Sequence, residues 1–183
     1  PSDVLPKSQP IRKTPIYSFS AKTQGQKEYV RAILENVVTF CTGPAGTGKS
    51  YIALGIAAQK FLEGEFDKII IVRPAVEASK FGLGFLKGSL EEKILPYMLP
   101  AIENFCKIMG KERFRKEFEF ENIKFETLEY LRGRTFDNSI VIGEEFQNCT
   151  TEQLIMFVTR LGEKSKAIVN GDSAQSDLYN DDW

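Results

Sequence analysis

Residues 43–50 of the chain read Gly43-Pro44-Ala45-Gly46-Thr47-Gly48-Lys49-Ser50. They match the pattern G-x-x-x-x-G-K-[ST], in which backbone N–H groups surround phosphate oxygens, the lysine reaches the terminal phosphates and the hydroxyl binds magnesium. An apolar, β-branched run at 37–41 precedes the loop, and a run at helical spacing from Tyr51 to Leu62 follows it. This order directs the positive end of a helix at the phosphates. The sequence therefore predicts a nucleotide-phosphate site formed by residues 43–51.

The composition limits the class of protein. A length of 183 residues suits one domain with a sizeable core, and a formal net charge of −1 argues against avid, purely electrostatic binding to nucleic acid. The three cysteines lie far apart, which indicates free thiols in a reducing compartment, and the chain has no histidine for a Ser-His-Asp or Cys-His system. Without an apolar run of membrane-spanning length or a secretory pattern, the expectation is a soluble cytoplasmic protein.

Prolines separate the beginning of the chain from the rest. Residues 1–20 are expected to form an extended arm, because a regular helix there is forbidden by four prolines, Pro1, Pro6, Pro10 and Pro15. Residues 21–183 are then expected to form a single domain.

Apolar runs along this domain alternate between strand and helix patterns. Strands are predicted at 37–41, 68–72, 123–128, 139–143 and 167–169. Helices are predicted at 28–34, at 51–63, from residue 89 onward with an interruption or kink at Pro96 and Pro100, and from Thr150 to Leu161, with Gly162 ending the last one. The alternation predicts an α/β fold with a mostly parallel sheet and a ligand crevice at the carboxyl ends of its strands.

Charged residues follow three of these strands, as Arg73, the pair Glu144-Glu145, and Asp172. A carboxylate that faces a phosphate loop can hold magnesium through water, and a second one beside it can activate the attacking water. The pattern predicts Glu144 as a magnesium ligand together with Ser50, and Glu145 as the base. The alternative is an exposed turn after an ordinary strand.

Three further polar residues are candidates for contacts with phosphate. The amide of Gln175 is placed to contact the terminal phosphate or its water. Arg132 and Arg134 are candidates for binding nucleic-acid phosphate, or for reaching the nucleotide of a neighbouring subunit. For each of them ordinary surface polarity is the alternative.

Taken together, these motifs resemble those of the PhoH-like family of P-loop ATPases, which is related to the superfamily-one helicase motors. The resemblance extends from about residue 21 to residue 178 and rests on short segments spread over that length. They read KTQGQ at 22–26, GPAGTGKS at 43–50, RPAVEA at 73–78, LGFLKG at 83–88, LRGRTF at 131–136, EFQN at 145–148, FVTRLG at 157–162 and GDSAQSDL at 171–178.

The resemblance implies a RecA-like core that binds and hydrolyses ATP with magnesium, in contact with single-stranded RNA or DNA. It also implies ring-shaped homo-oligomers, often hexamers, and gives Gln26 the role of reading the adenine. The residues expected to be catalytic are Lys49, Glu145, Gln175 and Arg134. Arg73 and Arg132 are expected to contact nucleic acid or a neighbouring subunit. Intrinsic nuclease activity is not implied.

The chain departs from the family's pattern at two places. The family's strand usually ends in Asp-Glu-Ala-Gln, whereas this chain has EEFQ at 144–147, so that Glu144 is one methylene longer. The chain also stops at Trp183, where relatives continue into a segment with a further arginine motif, so we expect either a minimal or truncated form or the absence of that arginine. Both departures leave open a nucleotide-gated binding or assembly module with weak ATPase activity. A small-molecule kinase is a third alternative, and the lack of an N-K-x-D pattern disfavours a GTPase.

Overall fold

The structure is a computed structural model that describes residues 20–74 and 90–175. The predicted arm, the RPAVEA segment beyond Pro74, the LGFLKG segment and residues 176–183 lie outside the described residues.

Strands and helices alternate along the described part of the chain, as the sequence predicts. The strands are β1 (Val38–Thr42), β2 (Lys68–Arg73), β3 (Ile123–Thr127), β4 (Ser139–Gly143) and β5 (Lys166–Gly171). The α-helices are α1 (Gln24–Glu35), α2 (Lys49–Glu63), α3 (Leu90–Met109), α4 (Lys111–Glu119) and α5 (Thr151–Val158). Short 3-10 turns follow three strands, at Leu128–Leu131, Phe146–Asn148 and Ser173–Gln175.

The five strands form one parallel sheet in the order β1-β5-β4-β2-β3. Successive residues of a strand point to opposite sides, and most residues of the central strands β2, β4 and β5 are buried, so both faces of the sheet are covered there. In β2, Ile69 and Ile71 pack into a cluster with α1, α2, α3 and α4. Ile70 and Val72 face a second cluster, which includes Phe157 of α5. The predicted fold is confirmed as a RecA-like P-loop fold with helices on both faces of a parallel sheet.

Hydrogen bonds at both ends of helix α1 fix its position over the sheet. At its start, the Thr23 hydroxyl accepts a hydrogen bond from the N–H of Gln26 (3.2 Å), and the Gln26 side chain accepts one from the N–H of Thr23 (3.3 Å). At its end, the ammonium of Lys166 donates to carbonyl oxygens of the last turn, including that of Ile33 (2.5 Å). Lys166 belongs to β5, so α1 and β5 keep a fixed relative position.

Helix α5 begins where the sequence predicts but ends earlier. The capping box of Thr150 is present, whereas the helix ends at Val158 and does not extend to Leu161. Leu161 instead forms a parallel bridge with Phe136, which draws the chain away from the helix axis. Packing against a distant segment therefore overrides the helical spacing of the apolar residues.

Gly162 has a different role from the predicted helix stop. A Cβ atom at this position would lie 1.8 Å from Asp137 Oδ1. Glycine is needed here because two chain segments come close together, not because a helix ends there.

The segment between residues 90 and 122 differs most from the sequence prediction. Helix α3 continues through Pro96 and Pro100, so the chain is not interrupted there, although an interruption was one of the two predicted outcomes. Burial of Phe105 on the sheet and its stacking with Phe114 of α4, at 5.9 Å between ring centres, stabilise both helices. The sequence did not predict α4. Among the described residues, no helix combines the length and the apolar character needed to cross a membrane.

Candidate nucleotide-binding site

The glycine-rich loop connects the carboxyl end of β1 to the start of α2. Gly46 and Gly48 adopt left-handed backbone angles (φ 77° and 89°), which glycine allows without strain. No side chain caps the first turn of α2, so its N–H groups face the loop, as an anion site requires. From α1, Gln26 Nε2 donates to the carbonyl oxygen of Thr47 (3.0 Å). The predicted adenine-reading residue therefore lies against the loop.

The end of β5 holds the other side of the loop. The N–H of Gly43 donates to the carbonyl oxygen of Gly171 (3.3 Å), and the N–H of Ala45 donates to Asp172 Oδ2 (2.9 Å). The carbonyl oxygen of Asp172 accepts a hydrogen bond from the N–H of Gln175 (2.9 Å). The segment that carries the predicted phosphate-contacting glutamine is thus joined to the loop through one aspartate.

Lys49 is held inside the loop by backbone carbonyl groups. Its Nζ donates to the carbonyl oxygens of Gly43 (2.5 Å) and Pro44 (2.9 Å). Since an ammonium group has three donors, one remains for an anion beside the loop.

Ser50, in the first turn of α2, contacts the acidic residue after β4. Its hydroxyl donates to Glu144 Oε2 (2.7 Å), and Asn170 Nδ2 of β5 donates to Glu144 Oε1 (3.1 Å). Burial raises the pKa of the Glu144 carboxyl, while the hydrogen bonds from Ser50 and Asn170 act in the opposite direction. A hydroxyl and a carboxylate are the hard oxygen donors that magnesium prefers, so this pair fits the predicted ion.

Asn170 and Tyr29 extend this contact into the core, and the sequence reasoning missed both. The hydroxyl of Tyr29 donates to Asn170 Oδ1 (2.5 Å), and both side chains are buried. Two signals were present in the sequence. Asn170 is a polar residue in an apolar strand, directly before Gly171. Tyr29 follows Gln26 by three residues, on the same face of a helix.

Glu145 follows Glu144 in a left-handed backbone conformation (φ 59°, ψ 41°). Its Oε1 forms an ion pair with Arg73 Nη2 at the end of β2 (3.4 Å), and its Oε2 accepts a hydrogen bond from Gln147 Nε2 (2.8 Å). Gln147 Oε1 in turn accepts a hydrogen bond from the N–H of Asp172 (3.2 Å). The carboxylate of the predicted base is therefore held by a cation and an amide.

Most of the predicted site residues line one cavity of about 290 Å³ at the carboxyl ends of β1, β4 and β5. Its lining includes residues 48–51 together with Glu144, Glu145 and Gln175. The structure thus brings together the residues predicted to contact phosphate, magnesium and water. Arg73 adjoins them through Glu145, and Gln26 adjoins them through Thr47.

Arg132 and Arg134 lie elsewhere, in the connection between β3 and β4. Both are exposed, and the guanidinium of Arg134 pairs with Glu126 of β3. Neither arginine belongs to the cavity lining formed by the described residues. The structure therefore does not bring them to this chain's own phosphate site.

The sheet is parallel, a GPAGTGKS loop joins its first strand to the following helix, and an acidic pair follows β4. Together these features define a P-loop protein. Comparison with known families leads to the same class. The sequence model of the family described as "PhoH-like protein" matches residues 18–182. The chain belongs to the PhoH-like family, whose members are broadly ATP-binding, and the resemblance in its motifs is confirmed.

Curated relatives carry the same family description. A PhoH-like protein of Synechocystis is 46% identical over 160 residues, which cover 87% of this chain and 48% of the relative. A PhoH-like protein of Bacillus subtilis is 45% identical over 161 residues, which cover 88% of this chain and 50% of the relative. Protein PhoH of Escherichia coli K12 is 39% identical over 160 residues, which cover 86% of this chain and 45% of the relative. The chain spans about half the length of these relatives.

Proposed function

We propose that this chain binds ATP with magnesium and hydrolyses the ATP, in contact with single-stranded RNA or DNA. The observation that carries the proposal is the contact of Ser50 with Glu144, beside Glu145 in the same cavity. In P-loop proteins a hydroxyl at this loop position and an acidic residue after a neighbouring strand hold the magnesium ion.

The surroundings of the cavity suit a nucleoside triphosphate. The N–H groups at the start of α2 and the ammonium of Lys49 provide positive charge for its phosphates. Gln26, at the edge of the loop, would contact the base, and Tyr51 would contact the nucleotide from the first turn of α2.

Four polar residues of the cavity then have defined tasks. Ser50 and Glu144 would hold magnesium, which neutralises charge that develops on the phosphate oxygens. Glu145 would accept the proton of the attacking water as the bond to the terminal phosphoryl group breaks, which leaves ADP and phosphate. Gln175 would contact the terminal phosphate.

The arginines would act on phosphates outside this chain's own cavity. Arg73 links the cavity to the end of β2, whereas Arg132 and Arg134 are exposed on the connection after β3. Their positions suit the backbone of a single-stranded polynucleotide, or a nucleotide bound to the next copy of this chain in a ring, with six copies as our starting hypothesis.

The proposal includes the compartment of the cell in which the protein works. Cys41, Cys106 and Cys149 are free thiols, which supports a reducing compartment such as the cytoplasm.

The first test compares the parent protein with Glu145→Gln in a phosphate-release assay. We expect turnover to fall by about 100-fold or more, because the amide cannot accept a proton. Affinity for a fluorescent ATP analogue should change by less than about threefold, since glutamine has nearly the same shape as glutamate. Glu119→Gln, an exposed residue of α4, is the matched control and should behave as the parent. Equal turnover of Glu145→Gln and the parent would refute the assignment of Glu145 as the base.

The second test addresses the polymer. Steady-state hydrolysis is measured without nucleic acid, with single-stranded RNA and with single-stranded DNA, together with the mass of the protein in solution. We expect one polymer to stimulate turnover and ATP to favour a ring. Stimulation by neither polymer would contradict the coupling to nucleic acid.

A second function has an observation of its own in its favour. Both carboxylate oxygens of Glu145 are already bonded, to Arg73 and Gln147, which hinders proton transfer from water. A nucleotide-gated binding or assembly module with weak ATPase activity fits this arrangement. Turnover near background, combined with tight ATP binding and an ATP-dependent change of mass, would favour it.

A further inference from the structure

Behind Glu144 lies a chain of buried side chains to which the reaction gives no direct task. These side chains are Asn170, which is 1% exposed, and Tyr29, which is 8% exposed, and Glu144 itself is 5% exposed. They connect α1 with the ends of β4 and β5 through contacts of 2.5 and 3.1 Å. Polar groups this deeply buried are held in place by their hydrogen-bond partners, because an unpaired one is costly.

The direction of these hydrogen bonds follows from the chemistry of the groups. Burial raises the pKa of the Tyr29 hydroxyl, so the group keeps its proton and is the donor to Asn170 Oδ1. The amide of Asn170 must then turn its NH₂ group toward Glu144 Oε1. The opposite orientation would set the amide oxygen against a carboxylate. Tyr29 thus fixes the amide, and the amide fixes one oxygen of Glu144.

This arrangement accommodates the longer side chain at position 144. A glutamate has one more rotatable bond than an aspartate and so needs more contacts to hold its carboxylate in one orientation. With Oε1 bound to Asn170, Oε2 remains directed at Ser50, the other predicted magnesium ligand.

We infer that Asn170 and Tyr29 are positioning residues that orient the Glu144 carboxylate for magnesium bound with ATP. The inference rests on the proposed function, since it concerns the same site. Asn170 lines the cavity beside Glu144, whereas Tyr29 is not among the described residues that line it. Tyr29 also lies one helical turn after Gln26, so the helix that would contact the base also orients the metal ligand.

The test measures how much magnesium strengthens ATP binding, independently of turnover. A fluorescent ATP analogue is titrated into the parent, Asn170→Ala and Tyr29→Phe, once with excess Mg²⁺ and once with EDTA. In Asn170→Ala we expect the affinity gained from Mg²⁺ to fall by about tenfold, with the affinity in EDTA unchanged, because residues that orient metal ligands have effects of this size. Tyr29→Phe keeps the ring and should show a smaller loss in the same direction.

Matched controls separate positioning from general damage. Asn104→Ala on α3 and Tyr130→Phe on the exposed turn after β3 should keep the full gain from Mg²⁺. In a Glu144→Ala background, Asn170→Ala should cause no further loss, since its effect acts through that carboxylate. If Asn170→Ala proves unstable in thermal unfolding, Tyr29→Phe carries the same test.

The outcomes distinguish this inference from the proposed function. A parent protein whose ATP binding does not respond to Mg²⁺ would overturn the proposed function, and this inference with it. A parent that responds, with Tyr29→Phe and Asn170→Ala responding equally, would overturn only the inference. An additional loss from Asn170→Ala in the Glu144→Ala background would also overturn it, because Asn170 would then act independently of Glu144.

Discussion

Two regions of this protein carry charged residues that the sequence associates with ATP or nucleic acid, and the two are built differently. At the carboxyl ends of β1, β4 and β5 the side chains contact one another across elements, as Ser50 and Asn170 do at Glu144. In the connection between β3 and β4 the arginines are exposed, and Arg134 pairs with Glu126 of the neighbouring strand.

Strand order explains the difference. β1, β5 and β4 are neighbours, so the loops that follow them meet in one cavity. β3 lies at the edge of the sheet, two positions from β4, and the connection that follows it lies outside that cavity. Residues of the first region contact one another and line one cavity. We propose that the arginines of the second region act on another molecule.

We expect the largest effect from removing the ammonium group of Lys49 in the cavity region. We expect Lys49→Ala to weaken ATP binding by about 100-fold, since a charge-assisted contact with phosphate is lost. Titration with a fluorescent ATP analogue measures the change. Lys111→Ala, on the exposed start of α4, is the control. Parent-like binding by Lys49→Ala would mean that the backbone of the loop alone holds the phosphates.

A smaller effect is expected from the exposed arginines. In Arg132→Ala/Arg134→Ala, affinity for a single-stranded oligonucleotide should fall by about tenfold, with a shallower salt dependence, because phosphate contacts are lost. The affinity for ATP should stay the same when it is measured in dilute protein, where copies of the chain are not assembled into a ring. Arg115→Ala on α4 provides an exposed control. Reduced ATP affinity in the dilute double variant would contradict the separation of the two regions.

The smallest effect concerns the stability of the β3–β4 connection. Gly162→Ala forces Asp137 aside, and Asp137 Oδ1 accepts a hydrogen bond from the N–H of Glu163 (2.8 Å). We expect the free energy of unfolding in urea to fall by about 1 kcal/mol. The control is Gly25→Ala in α1, where a Cβ meets no atom within 4 Å outside its chain neighbours and the helix's own backbone. It should be at least as stable as the parent, since alanine favours a helix more than glycine does. Stability of Gly162→Ala equal to that of the parent would show that Asp137 yields without cost.

The sequence predicted the strands well because most of them are short apolar runs rich in β-branched residues, a pattern that is read locally along the chain. It also predicted the loop and the acidic pair, since motif spacing is read along the chain. The contact of Tyr29 with Asn170 joins residues 141 positions apart and depends on how α1 lies across β5. Local patterns carry no such information, which is why these two residues were missed.

The same limit accounts for the differences among the helices. The sequence placed the end of α5 by helical spacing, whereas the bridge between Leu161 and Phe136 determines it. Prolines inside α3 predicted an interruption or a kink, and the interruption is absent, with Phe105 of that helix buried in the core. In each case a tertiary contact outweighs a local preference.

The backbone of Glu145 has a consequence for how this protein can be altered. Its angles (φ 59°, ψ 41°) suit glycine and asparagine, whereas a glutamate there costs about 1 kcal/mol. Substitution by glycine or asparagine relieves this cost but also removes the carboxylate that we propose activates water. Selection for heat resistance alone would therefore favour variants that fold better and turn over less, and a thermostable library of this protein should be screened for hydrolysis at the same time.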